Sequence, residues 1–94
     1  MASSEFTRSL RWQVGQAKEK DAEAAARAAS DAGDMVAAAH HVARAHAFHN
    51  SNPDALREVD DEVVNQLRKS LGHPDPEVRA SARQGLEELE AYGR

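Results

Sequence analysis

The chain has 94 residues, no cysteine, 4% aromatic residues and a formal net charge of −4. Its length allows one domain with a thin core, and without cysteine no disulfide or thiolate metal site can stabilise that core. The acidic balance argues against nucleic acid as a partner, and no apolar run approaches the roughly 20 residues that span a membrane. The first residues also lack the basic start and apolar stretch of a signal peptide, so we expect a cytoplasmic protein with no membrane partner.

The first predicted helix covers residues 4–31, where apolar residues recur at helical spacing from Phe6 through Leu10 and Val14. Gly15 costs about 1 kcal/mol relative to alanine in a helix interior, so a helix broken at that residue is the alternative. A continuous helix would be about 42 Å long, whereas the other three helices would be about 24–29 Å long. We therefore expect the N-terminal end of this helix to overhang the rest of the bundle.

The second predicted helix covers residues 34–49. Gly33 suits the left-handed residue just past the end of the first helix, and Asp34 suits the N-cap of the second. One seam of positions, spaced by four, three, four and three residues, comprises Met35, Ala39, Val42, His46 and His49. Phe48 lies off this seam, on the side of His41 and Ala45. The seam is the predicted packing face of the helix.

Two proline-containing turns place the last two helices at residues 53–71 and 76–92. In each turn a polar residue can cap the helix, and the proline that follows fits the first helical position, where its missing N–H costs nothing. These capping pairs are Asn52–Pro53 and Asp75–Pro76. The seam that we expect to be most buried comprises Leu56, Val59, Val63, Leu67, Val78, Ala82, Leu86 and Leu89.

No strand or hairpin pattern competes with helix anywhere in the chain, which indicates an all-α fold. Short loops make consecutive helices antiparallel neighbours. We therefore predict a single domain over residues 1–94, with about four antiparallel helices packed as helical hairpins. The expected fold is a helical-repeat-like minidomain with a long N-terminal helix.

Residues 63–86 resemble the junction between two HEAT repeats. An apolar helix is followed by an Asp-Pro turn, by the sequence Pro-Glu-Val-Arg at positions 76–79, and by a helix of small residues that reaches Leu86. Gly85 stands where that family usually has alanine. The resemblance implies stacked helical hairpins and a binding role, and it implies no chemistry, because a fold does not fix a function.

A weaker similarity lies upstream. Gly33-Asp34, followed by Ala38 and Ala45, is similar to the second half of a tetratricopeptide unit, although the large aromatic positions of that unit are missing. The two similarities together cover about half of the chain and do not form a run of repeats at a fixed period.

Four of the five histidines lie on the second helix. His46 and His49 are three residues apart, so they are neighbours on one helix face and two such imidazoles could chelate a metal. Across the turn, Asp54 and Glu58 lie near them, and Glu58 is the third ligand of this alternative. Zinc usually takes three or four ligands, however, and His-x-x-His alone is a weak signal. The simpler interpretation is a pair of partly buried histidines at a helix end, with no metal.

The sequence has no recognisable catalytic motif. It lacks a cysteine nucleophile, a Gly-x-Ser-x-Gly elbow, a glycine-rich phosphate loop and a His-Glu-x-x-His pattern. The carboxylate run at residues 60–62 occupies adjacent helical positions, which point in different directions. We therefore expect no enzymatic activity and no cofactor.

The candidate interaction residues lie on the first helix. Trp12 stands off the apolar stripe between two arginines, and tryptophan and arginine are enriched in binding hot spots. The alternative is that Trp12 contacts another helix of the core. The complete candidate set is Phe6, Arg8, Leu10, Arg11, Trp12 and Val14.

The function expected from these features is that of a non-catalytic protein–protein interaction module. Its partner would be a protein or peptide and, through the overhanging stripe, a second copy of the chain in a two-fold homodimer. The alternative function is a small metal-binding or metal-sensing protein that uses His46 and His49.

Overall fold

The computed structural model describes residues 5–91, which form four α-helices. Their bounds are α1 Glu5–Asp31, α2 Met35–His49, α3 Pro53–Ser70 and α4 Pro76–Ala91. The all-α prediction is confirmed, and each described helix end lies within one residue of its predicted position. The predicted ends at residues 4 and 92 lie outside the described residues.

The long helix α1 is continuous, so the alternative of a break at Gly15 is wrong. Its N-terminal half packs on α3 and α4, and its C-terminal half packs on α2. Thr7 is fully buried and faces α4, and Val14 belongs to the main core. The expected overhang is therefore wrong. The hairpin of α3 and α4 lies alongside the part of α1 that α2 is too short to cover.

The ends of α1 and α2 share one backbone geometry. After α1, the N–H of Gly33 donates to the carbonyl of Ser30, and the N–H of Asp34 donates to that of Ala29. After α2, Ser51 and Asn52 donate to the carbonyls three and five residues earlier in the same way. This Schellman pattern needs a left-handed residue, which is Gly33 at φ 80° in the first case and Ser51 at φ 54° in the second.

Side chains begin the next helices as predicted. The carboxylate of Asp34 accepts a hydrogen bond from the N–H of Ala37, and the side-chain oxygen of Asn52 accepts one from the N–H of Asp54. The carboxylate of Asp75 accepts from the N–H of Glu77 at the start of α4. Each cap satisfies an amide that the helix leaves without a backbone partner.

The main core lies where α3 meets α1 and α4. Val63, Leu67 and Ala82 are fully buried there, and Val59 and Leu89 are nearly so. Most of the predicted seam is therefore confirmed, with Val78 and Leu86 partly buried.

The seam is wrong at one end. Leu56 is 37% exposed, whereas its neighbour Ala55 is buried. The sequence prediction also missed Val64, which is buried although it lies beside Val63 on the helix. The reason is that α3 packs against both α1 and α4, so its buried face is wider than a single stripe.

Alanine forms the contact between α1 and α2. Ala22 and Ala26 of α1 and Ala38 and Ala45 of α2 are all buried. Small side chains allow two helix backbones to approach closely, so α2 turns its alanine face towards α1. The larger apolar residues of the predicted α2 seam are consequently on the outside, with Met35 63% and Val42 46% exposed. The predicted packing face of α2 is therefore wrong, and the face with Phe48 is buried.

Gly85 allows α4 to lie close to its neighbours. A β-carbon at this position would lie 2.9 Å from Oγ1 of Thr7 and 3.0 Å from Cδ1 of Leu67. Both of those residues are fully buried in the core, so an added β-carbon would have to displace core side chains. This close approach explains why glycine stands at a position where the sequence pattern favours alanine.

Candidate functional site

A groove of about 550 Å³ lies between α1 and the junction of α2 with α3. One wall is the outward side of α1 and comprises Arg8, Arg11, Trp12, Gly15, Gln16 and Glu19. The other wall includes Phe48, His49, Ser51, Ala55, Leu56 and Val59. We call this feature the Trp12 groove. It exists because α1 is long enough to run past the turn that joins α2 to α3.

Two of the apolar residues that line the Trp12 groove are exposed to solvent. Trp12 is 67% exposed at the rim and Leu56 is 37% exposed on the opposite wall. Phe48 is 9% exposed. The guanidinium of Arg44 lies over its ring, 5.6 Å from the ring centre, in a cation–π contact. Trp12 is the one tryptophan in the chain, and about two thirds of its surface is not covered by residues 5–91.

An ion pair and a histidine–carboxylate contact join the walls of the groove. Arg11 donates to both carboxylate oxygens of Asp60, through Nε at 2.8 Å and Nη2 at 3.2 Å, which ties α1 to α3. Such a two-point contact fixes the direction of the guanidinium as well as its position. Glu19 of α1 lies 3.0 Å from Nδ1 of His49, which ties α1 to the end of α2.

Glu58 of α3 joins all three helices around the groove. Its Oε1 accepts a hydrogen bond from Nη2 of Arg44 at 3.0 Å and lies 3.5 Å from Nζ of Lys18. By contrast, no carboxylate in residues 5–91 forms an ion pair with Arg8, which is exposed one helical turn before Trp12. Arg8 is therefore the charged group of the groove that a ligand could neutralise.

The structure divides the six predicted interaction residues into two groups. Val14 is buried in the core, Leu10 packs against the core, and Arg11 is held by Asp60. Arg8, Trp12 and Phe6 are exposed, and the first two line the Trp12 groove. The sequence missed the second wall, because Leu56 had been assigned to the core seam and Phe48 had no assigned role.

The histidines of the metal alternative face different surroundings. His49 lines the Trp12 groove and contacts Glu19, whereas His46 lines a separate groove between α1 and α2. Glu58 contacts two cationic side chains instead. Over residues 5–91, no three histidine or carboxylate side chains come together in a way that could hold a metal ion.

The separate groove has a volume of about 710 Å³ and follows the alanine contact. Four residues of α2 form its outer wall, which we call the α2 stripe: Met35, Ala39, Val42 and His46. All four are exposed. Sequence periodicity had found this stripe and had assigned it to the interior.

Comparison with family models, with curated proteins and with solved structures gave no match. None of the helices within residues 5–91 has the length and apolar character of a membrane span.

Proposed function

We propose that this chain is a non-catalytic protein–protein interaction module on a HEAT-like, helical-repeat-like scaffold, and that the Trp12 groove binds the partner. The observation that carries the proposal is the placement of Trp12. This side chain is 67% exposed beside an apolar groove, while Val14 on the same helix is 5% exposed. Exposed tryptophan next to apolar surface is typical of binding hot spots. The cytoplasmic location expected from the sequence is part of the same proposal.

The chemistry of the groove favours an acidic amphipathic helix of another protein as its ligand. Trp12 and Leu56 offer apolar surface on opposite walls, and Phe48 belongs to the same wall as Leu56. Arg8 lies four residues before Trp12 on α1, so the two side chains are neighbours on one helix face. A ligand that places a large apolar side chain in the groove and a carboxylate about one helical turn away would satisfy both.

The remaining charged groups of the groove have partners within the chain, which supports a non-catalytic binding role. Arg11 is neutralised by Asp60, and Glu19 is engaged by His49. These contacts join helices of the scaffold, and in each of them the carboxylate, that of Asp60 or that of Glu19, has a partner. α1 is one continuous helix that contacts α2, α3 and α4, and a pre-formed groove loses little entropy on binding.

A selection experiment tests the proposal. Random linear peptides displayed on phage are selected on the wild-type chain, and the best peptide is titrated while the fluorescence of Trp12 is followed. We expect the selected sequences to combine acidic and large apolar residues. The indole emission should shift to the blue, because the bound ligand removes water from the ring.

Variants make this test specific. For the variants, binding is measured by the fluorescence anisotropy of a dye-labelled peptide, because Trp12→Ala removes the indole. Trp12→Ala and Arg8→Glu should each weaken peptide binding about tenfold or more, which is the range of a hot-spot residue. Leu71→Ala is the matched control, since Leu71 is an exposed apolar residue just past the C-terminal end of α3 and outside the groove. Peptides that bind both groove variants as tightly as they bind the wild type would refute the proposal.

A further inference from the structure

The α2 stripe has a spacing that is symmetric about its own centre. Met35, Ala39, Val42 and His46 follow one another at intervals of four, three and four residues, so the centre lies between residues 40 and 41. The stripe carries no carboxylate, lysine or arginine, and its two largest apolar members are 63% and 46% exposed. A segment with this symmetry is complementary to a second, antiparallel copy of itself.

The other wall of the same groove carries opposite charges. Glu23 and Arg27 of α1 line it, and they lie four residues apart with a centre at residue 25. Neither side chain forms an ion pair within residues 5–91, although they share one helix face. An acid and a base related in this way can each meet the opposite charge of a second copy.

The two centres lie at the same height along the hairpin. Asp31 ends α1 and Met35 begins α2, so these residues flank the turn at one level. The centre of the charged pair is six residues before Asp31, and the centre of the stripe is between five and six residues after Met35. At about 1.5 Å per residue the two centres differ in height by less than about 1 Å.

We infer that the groove between α1 and α2 binds a second copy of this chain around a two-fold axis through these centres, perpendicular to the helices. In this arrangement Val42 packs on Ala39 of the second copy, and Met35 packs on His46 of the second copy. Glu23 faces Arg27 of the second copy, and the axis creates this pair twice. The two hairpins then form a four-helix bundle, with the alanines of each hairpin beneath the contact.

This inference adds a second surface to the proposed function. The linings of the two grooves have no residue in common, so the dimer leaves both Trp12 grooves open. It also replaces the predicted dimer through the N-terminal stripe, whose Leu10 and Val14 are used for packing within the chain. A dimer of this kind would be a bivalent scaffold, in which two ligand sites on one partner add to each other's affinity.

Sedimentation of the full chain over a range of concentrations tests the inference. Because the contact uses only one face of a single hairpin, we expect a small interface and a dissociation constant on the order of micromolar or weaker. The weight-average mass should rise from the 10.2 kDa of one chain towards twice that value. Val42→Glu should abolish the rise, because it buries a carboxylate against an apolar surface. Leu71→Glu, which places the same charge at a similarly exposed leucine outside the groove, should leave the rise unchanged.

A charge reversal tests the two-fold register separately from folding. Arg27→Glu places like charges together on both sides of the two-fold axis and should weaken dimerisation about tenfold or more. The double change Glu23→Arg with Arg27→Glu exchanges the charges and should restore wild-type dimerisation. Both side chains are exposed, and circular dichroism verifies that each variant keeps its helix content.

Three outcomes would overturn the inference. They are a wild-type chain that remains monomeric at the highest concentration, a Val42→Glu variant that dimerises normally, or a double charge reversal that stays as weak as Arg27→Glu. Peptide binding at the Trp12 groove is measured separately. Loss of dimerisation with intact peptide binding would therefore leave the proposed function standing.

Discussion

Helix α1 packs against α2 on one part of its length and against α3 and α4 on another, and the two contacts bury different kinds of side chain. Towards α2, the helix buries alanines such as Ala22 and Ala26. Towards α3 and α4, it buries Val14 and Thr7 against a core of valines and leucines. Alanine contributes less apolar area than valine or leucine, but it allows the backbones to approach more closely. The first contact therefore depends on the small size of its residues, and the second depends on filled volume.

This difference also decides which residues remain available for binding. Where alanine supplies the packing face of α2, the larger Met35 and Val42 are left outside. Where Leu67 and Val63 supply the packing face of α3, they are fully buried and are not available to a partner. We infer that the hairpin of α1 and α2 carries most of the recognition surfaces, with α3 supplying part of one wall of the Trp12 groove, and that the core between α3, α4 and α1 anchors the fold.

The largest expected effect comes from removing volume from the core of valines and leucines. Leu67 is fully buried between α1, α3 and α4, so Leu67→Ala should lower the free energy of unfolding by about 2–5 kcal/mol. Urea denaturation of both chains measures the difference. Leu71→Ala is the control, because Leu71 is an exposed leucine just past the end of the same helix and should change stability by less than about 0.5 kcal/mol. A loss below that value for Leu67→Ala would place the core elsewhere.

The alanine contact should respond to added volume instead. Ala22 is 2% exposed against α2, so Ala22→Leu should force the helices apart and destabilise the chain by about 1–3 kcal/mol. Ala24→Leu makes the same change at an exposed position of α1 and should have little effect. Thermal melts distinguish the two, since 1 kcal/mol corresponds to about 4–8 °C in a domain of this size. Equal melting temperatures for both variants would mean that α1 and α2 are not closely packed.

Replacing two glycines by alanine should change the stability by smaller amounts, with opposite signs at the two positions. Gly15→Ala adds a methyl group with nothing within 4 Å, so improved helix propensity should raise stability by about 0.5–1 kcal/mol. Gly85→Ala gains the same propensity, but its methyl group meets Thr7 and Leu67 in the core. We expect a net loss of about 1 kcal/mol. Denaturation curves of both variants test the signs, and stabilisation by both would show that α4 has room to move.

Local signals in the sequence were sufficient to predict the helices. Proline at the first helical position and the caps Asn52 and Asp75 set the starts of α3 and α4, and Gly33 set the end of α1. These signals act through hydrogen bonds within a few residues, so they can be recognised without knowledge of the fold. The strong apolar period of α3 likewise identified most of the core.

Which face of α2 is buried could not be predicted in this way. The helix has two possible packing faces, one with Met35 and Val42 and one with Ala38, Ala45 and Phe48. Periodicity favours the larger apolar residues, whereas the structure favours the close approach that alanine permits. The choice depends on the alanines of α1, and that information lies on another helix.

The candidate site was found only in part for a related reason. Trp12 and Arg8 could be identified as an unusual pair on one helix, and both line the groove. Leu56 and Asp60 lie more than forty residues later, and their role follows from how α3 crosses α1. Contacts of this kind depend on tertiary geometry, which no local pattern encodes.

The most direct test of this account is the solvent exposure of individual side chains by NMR with a water-soluble paramagnetic probe. The Arg27→Glu variant is used at low concentration, so that dimerisation does not hide the α2 stripe. The indole of Trp12 and the methyl groups of Met35 and Val42 should be relaxed strongly by the probe. The methyl groups of Val14 and Val63 should be protected. Protection of Met35 and Val42 equal to that of Val63 would contradict the account, because the large apolar residues of α2 would then belong to the core.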